Sequence, residues 1–160
     1  MEYITQLEII GEVALAMFLG SLIGVEREFA DKPAGFRTQM LVAGASALLV
    51  GLGDALMGRY LSPDNPQITA DPIRIVEAIV TGISFLGAGT IFRSKEGQHV
   101  EGLTTAASIL LCAAIGISVA VRQFVIAVGV TILALIVLRL MAIIEKRIAA
   151  ARENAESKSD

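Results

Sequence analysis

Phe124-Val125-Ile126-Ala127-Val128-Gly129-Val130-Thr131-Ile132-Leu133-Ala134-Leu135-Ile136-Val137-Leu138 carries no ionisable side chain. It also lacks the polar face, recurring about every 3.6 residues, that a helix in water needs. A helix in hydrocarbon needs none, so this stretch reads as a membrane span. It belongs to a run over Gln123–Ile144, and four similar runs precede it: Ile9–Val25, Gln39–Met57, Ile75–Phe92 and Leu103–Val121. Each has roughly the 17–25 residues that a hydrocarbon core of about 30 Å demands. The sequence predicts an all-α membrane protein with five transmembrane helices. The transmembrane domain takes residues 1–150, and residues 151–160 form a polar tail expected to fray.

Composition agrees. Mean hydropathy is +0.69, and charged residues make up 18 % of the chain, against about 25 % in soluble domains. Residues 1–8 carry Glu2 and Glu8 but no Lys or Arg, so the first run is expected to remain as a helix and not to be a cleaved leader. The lone Cys112 lies in an apolar run and offers no disulfide framework.

With five spans the termini fall on opposite sides. One side receives Arg27, Lys32, Arg37, Arg93, Lys95, Arg139, Lys146, Arg147, Arg152 and Lys158; the other receives Arg59, Arg74 and Arg122. The positive-inside rule puts the richer side in the cytoplasm, so the N-terminus is expected outside and the C-terminus inside. The acidic Glu2, Glu8, Glu12, Asp54, Asp64, Asp71 and Glu77 fall toward the external half. A negative face of this kind attracts cations.

The chain also looks like a doubled unit. Phe18-Leu19-Gly20 and Phe85-Leu86-Gly87 lie 67 residues apart, and the same offset carries Gly35 onto Gly102 and Thr38 onto Thr105. Both copies hold a helix, a cytoplasmic loop and a helix, so helices 1–2 and 3–4 are expected to form a parallel repeat. In this register Glu26 falls on Arg93, and Glu26 is expected within ion-pairing reach of Arg93 or another cytoplasmic-edge arginine.

Asp71-Pro72 reads as an N-cap followed by proline at the first helical position. Gly20, Gly24, Gly82, Gly87 and Gly89 are assigned to close helix packing, with Gly87-Ala88-Gly89 dense enough to weaken a helix. Gly102, Thr104 and Thr105 continue this glycine/threonine motif. Glu26, Arg27, Glu28, Lys32, Arg37 and Thr38 crowd the first loop, where alternating signs suggest internal pairing around a turn set by Pro33 and Gly35. Deeper in, Arg74 and Glu77 share a helix face. An ionisable residue inside a span costs about 2.5–3.5 kcal/mol on insertion scales. Glu77, with Asp54, is therefore the candidate cation ligand, and Glu8 and Glu12 are expected to complete an acidic cluster. All three of Asp54, Arg74 and Glu77 are expected to face the interior or an oligomer seam. No catalytic or phosphate-binding motif is present, so no enzyme and no nucleic-acid partner is expected.

The run Gly20-Ser21-Leu22-Ile23-Gly24-Val25-Glu26-Arg27-Glu28 resembles a signature of the MgtC/SapB family of bacterial membrane proteins. The resemblance continues through Lys32-Pro33-Ala34-Gly35-Phe36-Arg37-Thr38, Gly82–Gly89 and Gly102–Ala107. It implies an inner-membrane protein linked to growth in low magnesium, to virulence, and in some members to restraint of the F-type ATP synthase. Gln39 stands where many members have His, and Glu77 where Gln is common. Virulence-associated members carry a further soluble domain, and the roles tied to it are not expected of these 160 residues.

Three functions follow as expectations. The first is a membrane regulator of a partner complex, aiding growth in low magnesium. The second is a cation transporter or channel using Glu77 and Asp54, and the third is a structural assembly partner. Membrane lipids and further copies of the chain are the expected associates. Weakly held Mg²⁺ is the one metal considered, and no resident cofactor is expected.

Overall fold

The computed structural model describes residues 2–60, 71–93 and 100–156. Its helices are α1 (Glu2–Phe29), α2 (Phe36–Tyr60), α3 (Pro72–Ala88), α4 (Leu103–Ala120) and α5 (Phe124–Glu156). Four of the five, all but α3, are long and apolar enough to cross a membrane. With 17 residues, α3 rises only about 25 Å.

Three of the helices, α1, α2 and α5, outrun the apolar segments that announced them. The last is the clearest case: helix continues to Glu156, six residues into the polar tail. At α3 the error has the other sign. The apolar run reaches Phe92, but the helix stops at Ala88, where Gly89 caps it and returns its amide to Phe85 O. Phe92–Arg93 instead pairs antiparallel with Val100–Glu101, as strands β1 and β2. Hydropathy does not distinguish an apolar strand from the end of an apolar helix. The Asp71 cap forms as expected, its carboxylate accepting from Ile73 N at 3.0 Å with proline at the first helical position.

Packing centres on α1, α2 and α4, with α3 against α4 and α2, and α5 against α1 and α4. Small residues make this possible. A Cβ on Gly20 would sit 2.7 Å from Gln39 O and 2.8 Å from Ala43 Cβ. Gly116 meets the Ala43 carbonyl still more closely. Gly82 differs, with nothing within 4 Å of an added Cβ, so its assignment to helix packing is corrected within this chain. The core itself is thin, formed by Ile23, Ile109, Ile115 and Val119 with several alanines. Large apolar side chains cover the outside, among them Phe29 at 87 % exposure and Phe85 at 86 %. Water would not tolerate so continuous an apolar exterior; lipid does.

Two helix ends turn through left-handed residues other than glycine. At the end of α1, Asp31 has φ 52°, with Asp31 N bonded to Glu28 O and Lys32 N to Arg27 O. At the end of α4, Arg122 has φ 59°, with Arg122 N bonded to Val119 O and Gln123 N to Ser118 O. Both are Schellman closures. They place Lys32 and Arg122 at sharp corners.

Candidate functional site

The first charged loop is a built structure. Glu28 reaches from the last turn of α1 to the start of α2, where its Oε2 accepts from Phe36 N at 2.8 Å. A carboxylate there satisfies an unpaired amide and faces the positive end of the helix. Gly35 allows it, since a Cβ at that position would strike the Glu28 carboxylate. Arg27 points inward instead and is only 4 % exposed. Its Nη1 lies 3.7 Å from Glu26 Oε2, while its Nε and Nη2 have no hydrogen-bond partner among the described residues. Lys32 and Arg37 are exposed, and Thr38 is half-buried. Side-chain contacts of Arg93, and with them its expected pairing to Glu26, lie outside the described residues, as do Lys95 and His99.

Just inside this loop, Gln39 is fully buried. Its Nε2 donates to Ser108 Oγ at 2.7 Å and to Ala34 O at 3.3 Å. Ser108 donates onward to Thr105 O at 2.8 Å. Thr105 is buried and Thr104 exposed. Gly102 starts α4 at φ 88°, pressed against the Thr90 carbonyl. Gly87 packs on Ala106, whose Cβ would lie 3.4 Å from a Cβ added at Gly87.

The expected acidic cluster does not assemble. Glu8 and Glu12 turn instead to Arg122, at 2.6 Å from Nη2 and 3.2 Å from Nε. The hydrogen bond to Glu8, then the charges of Glu8 and Glu12, push the Arg122 pKa above its ordinary value. Among the described residues no group of three or more acidic, His or Cys side chains could hold a metal. Asp54, Arg74 and Glu77 are exposed on the outside of the chain, which removes the first of their two expected placements, the interior. Arg74 and Glu77 form no ion pair: the pairs among the described residues are Arg27–Glu26, Arg122–Glu8 and Arg122–Glu12.

Three features escaped the sequence reading. Arg122 had a signal, as one of three cations in an acidic half. Gln39 had one too, as an amide at the mouth of a span. The burial of Arg27 had none, because a helix-end arginine normally snorkels to water.

A bundle of apolar helices with a charged, pinned loop defines a multi-pass membrane protein. The chain matches the MgtC family over residues 13–147, and it belongs to that family. It is 43% identical to Protein MgtC of Salmonella typhimurium over 120 residues, covering 75% of this chain and 46% of that protein. Protein MgtC of Brucella abortus is 43% identical over 105 residues, 66% of this chain and 39% of that one. An uncharacterized protein of Haemophilus influenzae is 36% identical over 138 residues, 86% of this chain and 57% of that one. The chain thus spans about half the length of the curated relatives it matches. No solved structure matches it.

Proposed function

We propose that this chain is a five-span protein of the bacterial inner membrane that supports growth under magnesium limitation by regulating a partner membrane complex. The N-terminus lies outside and the C-terminus in the cytoplasm. The observation that carries the regulator over a transporter is the Arg122 clamp. It pairs with both carboxylates of α1, Glu8 and Glu12, that were expected to complete an acidic cluster. The close packing at Gly20 and Gly116 supports the same reading, because it shuts the seam between α1, α2 and α4. The family resemblance supplies the F-type ATP synthase as a candidate partner.

The repeat belongs to this reading and has geometric support. Gly20 packs on the backbone of Gln39, and Gly87 packs on Ala106, two contacts related by the same 67-residue offset. Homo-oligomerisation belongs to it as well. Asp54, Arg74 and Glu77 are charges exposed on apolar helices, and a seam with another copy would spare them hydrocarbon.

Exposed Glu77 favours one second reading, a cation path between copies. Liposomes holding the purified protein and Mg²⁺- or pH-sensitive dyes separate the two. The regulator predicts no flux above empty vesicles while the same protein rescues growth in low magnesium. Flux that disappears in Glu77→Gln would establish the transporter. For orientation, in a Cys112→Ala background, an impermeant thiol reagent added outside should label Gln123→Cys and spare Lys32→Cys. The reverse pattern inverts the topology.

A further inference from the structure

Arg27 presents an unanswered donor fork. Its Nε and Nη2 form the side-on edge of the guanidinium, the edge matched to two oxygens of a phosphate or carboxylate. Both are buried without a hydrogen-bond partner among the described residues, and the residue is 4 % exposed. A buried guanidinium left in that condition is costly. Glu26 answers only the other side, at 3.7 Å from Nη1.

The residue lines a cavity of about 340 Å³ enclosed by the end of α1, the start of α4 and the cytoplasmic part of α5. Lys32 faces the same cavity, so two cations outweigh the single carboxylate of Glu26. Thr104 and Thr105 bring the first turn of α4 into the wall. Gly102 caps that turn with no side-chain acceptor, leaving amide donors and the positive end of an 18-residue helix. Arg27, Lys32 and a helix N-terminus line one space, and donors from three sides suit a tetrahedral oxyanion better than a planar carboxylate.

A second feature selects the source of that oxyanion. Thr104, Val137 and Leu138 also line an apolar groove of about 350 Å³ between α4 and α5, which runs on past Ile23 and Leu133. Free phosphate has no use for it; an acyl chain does. We propose that this site binds one phospholipid, with its phosphodiester on the Arg27 fork and the first turn of α4, and an acyl chain in the α4–α5 groove. The site rests on membrane embedding alone and stands whether or not the protein regulates a partner.

Native mass spectrometry tests it, on the full chain purified in mild detergent, stripped of lipid and titrated with phosphatidylglycerol. One lipid should be retained per chain. Arg27→Gln should weaken binding at least tenfold, and Arg27→Lys should weaken it too, since the charge stays but the fork is lost. Val137→Trp obstructs the groove from an exposed position on α5 and should weaken binding with every charge in place, which separates ligand loss from misfolding at Arg27. No lipid uptake by the wild type would overturn the proposal, as would wild-type binding by all three variants. Displacement of the lipid by inorganic phosphate at equal concentration would reassign the cavity to the free ion and likewise overturn it.

Discussion

Gln39 and Ser108 join α2 to α4 through a 2.7 Å hydrogen bond between residues 69 positions apart, in a part of the core closed to solvent. The bond completes a short polar chain from the Ala34 carbonyl through Gln39 and Ser108 to the Thr105 carbonyl. It ties the pinned first loop, which carries the charged signature, to the start of α4, which carries the glycine/threonine motif. Gln39 Oε1, by contrast, finds no partner among the described residues.

That imbalance sets a prediction. Gln39→Leu gives up two buried hydrogen bonds, each worth about 1 kcal/mol, but also removes an unsatisfied carbonyl and roughly keeps the volume. Gln39→Ala gives up the same bonds and also opens a cavity, which costs about 2 kcal/mol or more. Unfolding in detergent micelles should place Leu between wild type and Ala, with Ala well below. If Leu proves as damaging as Ala, the polar chain matters more than the packing.

Gly20 and Gly82 should behave in opposite ways, although both sit in apolar helices. At Gly20 an added methyl meets a carbonyl at 2.7 Å and a Cβ at 2.8 Å, so the α1–α2 seam must open. Overpacking of that kind costs about 1–3 kcal/mol. At Gly82 a methyl meets nothing within 4 Å, and the gain in helix propensity is about 1 kcal/mol. Thermal melts of Gly20→Ala and Gly82→Ala should therefore move in opposite directions. A loss of oligomer in Gly82→Ala without a loss of melting temperature would place Gly82 at a seam between copies.

Glu28 and Gly35 form one device and should fail together. Glu28→Ala removes the cap from Phe36 N, at a cost of about 1 kcal/mol. Gly35→Ala puts a methyl into the Glu28 carboxylate and should expel it from the same amide. The double variant should be little worse than the worse single one, and a double-mutant cycle reads this directly. Additive losses would show that the two residues act independently.

The legibility of this fold follows from which physics is local. Hydropathy located all five helices because an apolar run is a property of each segment alone. It misjudged the end of α3, where Phe92 is as apolar in a strand as in a helix and only the Val100–Glu101 pairing decides. The Asp71-Pro72 start was readable because an N-cap needs only its own neighbours. The corners at Asp31 and Arg122 were not, since left-handed residues other than glycine carry no sequence signal of their own. At the candidate site, the crowded charges of Glu26–Arg37 were legible as a turn with internal pairing. Which arginine turns inward was not, because the burial of Arg27 depends on the start of α4 and on α5. Glu8 and Glu12 were visible as a pair one turn apart, but their partner lay 114 positions beyond Glu8.

Arg122 carries the last prediction. It adopts φ 59°, a conformation that glycine takes without strain, and it holds both Glu8 and Glu12. Arg122→Gly would therefore relax the corner while releasing the acidic pair; Arg122→Gln keeps the strain and releases the pair as well. If the clamp outweighs the strain, both variants lose stability, with Gly losing less than Gln. The sign with pH is fixed by the raised pKa of the cation. Such a group contributes fully below its unfolded value and fades only as pH rises through the folded one, so Arg122 itself stays charged across the workable range. Melting temperatures of the three proteins at neutral pH and low salt check the ranking. Variants that melt together with the wild type would sink the clamp as a stabilising contact.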